Sequence, residues 1–199
     1  MIRWLALGDS YTIGEAVPVH ERWPMVLAQR LRDDGVAVDE PRIIAVTGWT
    51  TDELAQGMDA AGPIPVHDLV TLLIGVNNQY RGRPLEEYRE QFSTLLARAI
   101  TLAGDDAARV VVVSIPDWGV TRFAAGQDRD RAVIARELDD FNAAAAELAA
   151  AAGAAFVDIT GISRKHPDLV ADDGLHPSGE QYRLWAEAIE PAVRKALAP

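Results

Sequence analysis

A chain of 199 residues with 19 Lys and Arg against 30 Asp and Glu carries a net charge of −11, and it has no cysteine. Disulfides, thiolate metal ligands and a cysteine nucleophile are excluded, and the acidic balance argues against a nucleic-acid partner, which needs clustered Lys and Arg. The length fits a single domain, residues 1–199, with a genuine core, and no apolar run approaches the roughly 20 residues of a membrane span.

The chain opens on a short apolar run, Trp4 to Leu7, stopped by Gly8-Asp9-Ser10-Tyr11. A buried strand followed by a small-residue turn is where open α/β sheets place ligands, although Gly-Asp-Ser is also an ordinary turn sequence. The segment from Ser10 to His20, with Gly14 and Pro18, reads as a loop. Trp23, Leu27 and Leu31 then recur at four-residue spacing up to Gly35 and predict a helix with one apolar face. Arg42 to Thr47 is a second strand, ended by Gly48-Trp49. Thr50 to Glu53 starts a short helix that Gly57, Gly62, Pro63 and Pro65 break up.

Asp68 to Gly75 is the most continuous apolar run, as expected of a central strand buried on both faces. Pro84 opens a helix with Leu85, Tyr88, Phe92, Leu95, Ala99 and Leu102 along one stripe. The valine-rich segment Arg109 to Ile115 is a fourth strand, followed by Pro116 to Gly119 and a polar loop to about Arg129. A long helix carries Ile134, Leu138, Phe141, Ala145 and Leu148 and stops at Gly153; its alanine-rich end reads as good helix former. Ala155 to Ile159 is a fifth strand, and residues 160–176 read as a loop. Pro177 starts the last helix, with Tyr182, Trp185, Ile189 and Val193 inward and Pro191 expected to kink or shorten it. Five strands alternating with five helices predict a three-layer α/β/α fold on a parallel sheet, with the flavodoxin-like order 2-1-3-4-5.

Asp173-Gly174-Leu175-His176 places a carboxylate and an imidazole three residues apart. A serine nucleophile needs a base to take its proton and an acid to orient that base, and Ser10, His176 and Asp173 supply these roles in the chain order Ser, Asp, His. Asp172 is the competing acid. The other histidines, His20, His67 and His166, lie in loop-like contexts without matched partners and read as surface or turn residues. Their scatter offers no metal-ligand spacing.

Gly8-Asp9-Ser10, Gly48, Gly75-Val76-Asn77-Asn78 and Asp173-Gly174-Leu175-His176 together resemble, in order, the four motif blocks of the SGNH (GDSL-type) hydrolases. The blocks span residues 8 to 176, nearly the whole chain. The resemblance implies the same sheet order, and an oxyanion hole made by the backbone N–H of Ser10, the backbone N–H of Gly48 and the side-chain amide of Asn77. Asn78 stands where the family commonly has aspartate, which leaves the role of that position open. Trp49 and Trp118 each follow a strand end on the active edge; they are expected either to wall an acyl pocket or simply to pack.

Two other sheet-edge readings fail on chemistry. A flavin phosphate would meet an unhelpful acid in Asp9, and a receiver domain would need an aspartate where Gly75 and Asn77 stand; neither explains His176. The chain is therefore read as a serine hydrolase of carboxylic esters, with small acyl esters expected and no cofactor implied. A thioesterase, or a sugar O-acyltransferase or deacetylase, is the alternative on the same site. A non-catalytic ligand-binding relative is the alternative from another class, disfavoured by the intact set of five motif residues. Because the catalytic strand starts within the first few residues, a cytoplasmic location is expected, with a secreted form lacking its signal as the alternative. The sequence does not give the oligomeric state.

Overall fold

The computed structural model describes residues 1–198. Its five strands are β1 (Trp4–Gly8), β2 (Arg42–Ala45), β3 (Leu69–Leu73), β4 (Val110–Val113) and β5 (Ala155–Val157). They form one sheet in the order β2-β1-β3-β4-β5, and every pairing is parallel, as predicted. Parallel neighbours need crossovers, and the crossover helices cover both faces of the sheet. The helices α2 (Trp23–Asp33) and α9 (Gly179–Ala196) pack together on one face. On the other lie α3 (Thr51–Ala60), α5 (Leu85–Leu102) and α7 (Arg131–Ala152). Strands β1, β3 and β4 are accordingly buried along their whole length, which is why they read as unbroken apolar runs. Among the described residues no helix is long and apolar enough to cross a membrane.

The strand register decides where the chemistry sits. Gly8 at the end of β1 is level with Ala45 on one side and Leu73 on the other. Three chain segments therefore leave the sheet side by side at the same edge. Gly8 has no room for a side chain: a Cβ would stand 2.6 Å from the Leu73 carbonyl and 2.2 Å from Thr12 Oγ1. This packing lets the chain turn at once into the short helix α1 (Ser10–Ile13), capped by the Asp9 carboxylate, which accepts the Tyr11 N–H at 3.0 Å.

Several segments differ from expectation. The expected loop after Ser10 begins with α1, and residues 160–176 contain α8 (Thr160–Lys165). Two further short helices, α4 (Val76–Tyr80) and α6 (Arg122–Ala125), lie between predicted elements. Each of the four has six residues or fewer, too few for an apolar period to show, and helices this short stand only with tertiary support. The last helix is capped by Ser178, whose hydroxyl accepts the Gln181 N–H, so it starts at Gly179 and not at Pro177. Pro191 does not end it. The helix runs on to Ala196 because Ile189 and Val193, on either side of the proline, are fully buried.

Candidate active site

Ser10, the first residue of α1, is separated from the end of β1 by Asp9 alone. It lines a cavity of about 180 Å³ together with Tyr11, Thr47, Gly48, Val76, Asn77, Tyr80, Trp118, Phe123, Leu175 and His176. Residues separated by more than 160 positions in sequence thus meet at one sheet edge. A larger open groove of about 580 Å³ lies between α3 and α5, but no nucleophile and base pair lines it.

Asp173 and His176 are already paired. Asp173 Oδ2 lies 2.6 Å from His176 Nδ1, while Asp173 Oδ1 accepts the backbone N–H groups of Leu175 at 2.9 Å and His176 at 3.0 Å. Burial pushes the Asp173 carboxyl up, but the bonds from the His176 ring and the two N–H groups outweigh it and hold the acid below the usual carboxylate range. The loop itself is fixed: Ala171 N–H binds the His176 carbonyl at 2.7 Å, and Phe123 N–H binds the Gly174 carbonyl at 3.0 Å. Tyr11 packs against the imidazole at 5.8 Å between ring centroids. Asp173, and not Asp172, meets the imidazole. The Ser10 hydroxyl makes no hydrogen bond within the described residues.

Facing Ser10 is a set of donors. The N–H groups of Ser10 and Gly48 have no protein acceptor among the described residues. Gly48 turns the chain after β2 at φ +88°, a conformation that favours glycine. The Asn77 side chain donates one amide hydrogen to the Trp49 carbonyl at 2.9 Å, which fixes its plane and leaves the second hydrogen free. Asn78 is fully buried beside it: its Oδ1 accepts the Thr51 N–H at 3.1 Å and its Nδ2 donates to Thr51 Oγ1 at 2.7 Å. Asn78 therefore clamps α4 to the head of α3.

Of the two tryptophans expected at the pocket, only Trp118 reaches it. Trp49 turns away because Gly57 of α3 leaves a flat seat for its ring: a Cβ on Gly57 would lie 2.1 Å from the indole. Trp118 stands edge-on to Tyr80 (5.3 Å) and Phe123 (6.2 Å). Its Nε1 donates to Gln79 at 2.8 Å, Gln79 donates to Glu137 at 2.6 Å, and Glu137 pairs with Arg129 at 2.9 Å. The Arg129 guanidinium then lies over the Trp118 ring, 5.6 Å from its centre, which closes the brace.

Sequence reasoning missed Tyr80 and Phe123. Tyr80 lies three residues beyond Asn77, a helical spacing that α4 would have revealed; Phe123 sits in a polar stretch with no periodic signal. His20 and His166 are exposed as expected, whereas His67 is buried ahead of β3, away from the cavity. Among the described residues no group of three or more His, Cys, Asp or Glu side chains is placed to hold a metal ion.

Comparison with known proteins finds relatives in sequence and in fold. An arylesterase of Vibrio mimicus is 29% identical over 203 residues, covering 97% of this chain and 88% of that protein. The psychrotrophic esterase EstA from Pseudoalteromonas sp. superposes with a TM-score of 0.75 at 17% identity, covering 99% of both chains. A lipase/acylhydrolase from Enterococcus faecalis gives 0.73 at 20% identity, covering 100% of this chain and 98% of that one. The model of the GDSL-like lipase/acylhydrolase family matches residues 6–184, and the chain belongs to that family.

Proposed function

We propose that this carboxylic ester hydrolase works through Ser10, His176 and Asp173, forms an acyl-enzyme on Ser10, and takes small acyl groups. The observation that carries the reading is the Asp173–His176 couple at 2.6 Å, opening on the same small cavity as Ser10 and the unengaged N–H of Gly48.

In the proposed reaction Ser10 Oγ attacks the ester carbonyl while His176 Nε2 takes its proton. Asp173 holds the ring with its proton on Nδ1 and stabilises the imidazolium that forms. The Ser10–His176 hydrogen bond, not made in the free protein, forms when substrate fills the cavity, since catalytic hydrogen bonds are often completed only in the substrate complex. Charge develops on the carbonyl oxygen, where the N–H groups of Ser10 and Gly48 and the free amide hydrogen of Asn77 receive it; each such donor contributes about 3 kcal/mol in the transition state. His176 returns the proton to the leaving alcohol, and water, activated by the same base, resolves the acyl-enzyme.

The acyl group lies against Val76, Tyr80, Trp118, Phe123 and Leu175, an apolar wall that ends on the braced indole. A wall that cannot retreat limits chain length. The name of the Vibrio mimicus relative also makes aryl esters of short acids good first substrates. The test is a chain-length series of p-nitrophenyl esters run beside acyl-CoA and acetylated xylan. Acetyl and butyryl esters should be cleaved faster than octanoyl, and a preference for long chains would overturn the small-acyl reading. A fluorophosphonate probe that fails to label Ser10 would overturn the serine mechanism.

A further inference from the structure

Arg81 lies just beyond the end of α4, and the reaction proposed above gives it no role. Its Nη2 donates to the Gly48 carbonyl at 2.6 Å, and its Nη1 donates to Glu53 Oε1 at 3.2 Å. Glu53 is fixed in turn. Its other oxygen accepts the Thr50 N–H at 2.9 Å and the Thr50 hydroxyl at 3.0 Å, as the far member of the capping box that starts α3. The guanidinium thus ties the turn after β2 to a helix end that is itself capped.

The neighbouring carbonyl of the same turn is held from the same side. Asn77 binds the Trp49 carbonyl at 2.9 Å, so side chains four residues apart, one in α4 and one just past its end, grip two successive peptide oxygens. Between the Gly48 carbonyl and the Gly48 N–H lie only the two backbone torsions of a glycine, the residue with the least steric restraint on them. A Cβ at Gly48 would meet nothing closer than Arg81 itself, at 3.9 Å, so side-chain packing does not hold this turn. Hydrogen bonds do: Trp49 N–H donates to the Val46 carbonyl at 3.2 Å, and the Gly48 and Trp49 carbonyls accept from Arg81 and Asn77.

We infer that Arg81 is a positioning residue of the oxyanion site: by holding the Gly48 carbonyl it keeps the Gly48 N–H directed into the cavity. The inference rests on the role proposed for Gly48. Arginine suits the position because its planar fork serves the Gly48 carbonyl and Glu53 at once. The side chain is 42% exposed, so its direct electrostatic pull on a buried oxyanion is screened, and geometry remains as its means of action.

The test compares Arg81→Met and Arg81→Lys with wild type on a short-chain p-nitrophenyl ester. Losing part of one preorganised donor should lower kcat of Arg81→Met roughly 10- to 100-fold, less than deleting the donor outright, with KM within about 2-fold. Fluorophosphonate labelling of Ser10 should slow in parallel, because phosphonylation also builds charge on an oxygen. Arg81→Lys, which can still reach the Gly48 carbonyl, should recover part of the loss while both variants keep the wild-type melting temperature. A wild-type kcat in Arg81→Met, a change in KM alone, or a loss that follows melting temperature and that lysine does not rescue would overturn the inference. So would a wild-type kcat that falls to the Arg81→Met level between about 0.1 and about 1 M salt, which would make the effect one of charge. Failure of the serine mechanism looks different, since wild type itself would then not be labelled.

Discussion

The two walls of the cavity are built on different principles. The polar wall of Ser10, Gly48 and Asn77 is carried by segments leaving the level ends of β1, β2 and β3, where backbone direction is set within two to four residues of a strand. The aromatic wall of Tyr80, Trp118 and Phe123 comes from α4, a 3-10 turn (Trp118–Val120) and α6, segments held in place by one another and by the Gln79–Glu137–Arg129 brace. The first wall presents fixed dipoles, and changes there should alter rate. The second presents shape, and changes there should alter which acyl group fits. The Gly174 carbonyl, bonded to Phe123 N–H, ties the aromatic wall to the loop of Asp173 and His176.

The strongest way to break this division is at Ser10. Ser10→Ala should lower kcat by at least ~10³-fold with little change in melting temperature, and Asp173→Asn, which leaves the imidazole in the wrong tautomer, should come close to it. Near-wild-type turnover by a rigorously purified Ser10→Ala protein would remove the polar wall from catalysis altogether.

A second probe lies beneath that wall. Asp9 is completely buried, its Oδ2 has no partner, and burial pushes its carboxyl up from 3.8 to about 7 despite the bond from Tyr11 N–H. An acid whose folded pKa is raised binds its proton more tightly folded than unfolded. Ionisation therefore destabilises the fold progressively as pH climbs from about 4 to about 7, and the penalty is constant above that, on the order of 4 kcal/mol. Asp9→Asn keeps a capping oxygen and removes the ionisation. Its melting temperature relative to wild type should rise across that window and then level off; a difference independent of pH would show that Asp9 is charged throughout.

The aromatic wall is tested by Trp118→Ala. The preferred acyl chain should lengthen, with up to ~0.8 kcal/mol of binding recovered per added methylene, while the cavity left behind costs about 3 kcal/mol of stability. An unchanged chain-length profile would show that the acyl group lies elsewhere. The smallest effect is expected at Trp49→Ala. This indole sits on Gly57 outside the cavity, so stability should fall while acyl preference stays as in wild type. A shift in preference there would blur the distinction between the walls.

All five strands and the long helices could be read from the chain because their signals are local. Uninterrupted apolar runs at Trp4 to Leu7 and Asp68 to Gly75 fit strands buried on both faces, and the stripes of α5, α7 and α9 follow the helical period. The strand order followed from alternation and from the ordered motif blocks, and the pairing of Asp173 with His176 followed from a three-residue spacing that a turn can close. The sequence by itself thus determined the sheet and the local Asp–His couple. Only the tertiary structure decided which tryptophan faces the cavity, that α4 exists, and that Arg81 holds the Gly48 carbonyl. The physical reason is the range of the forces involved. A four- or five-residue helix and the direction of an indole have no periodic signature of their own, and they are fixed by contacts such as Trp49 on Gly57 and Trp118 on Gln79 that join positions 8 and 39 residues apart.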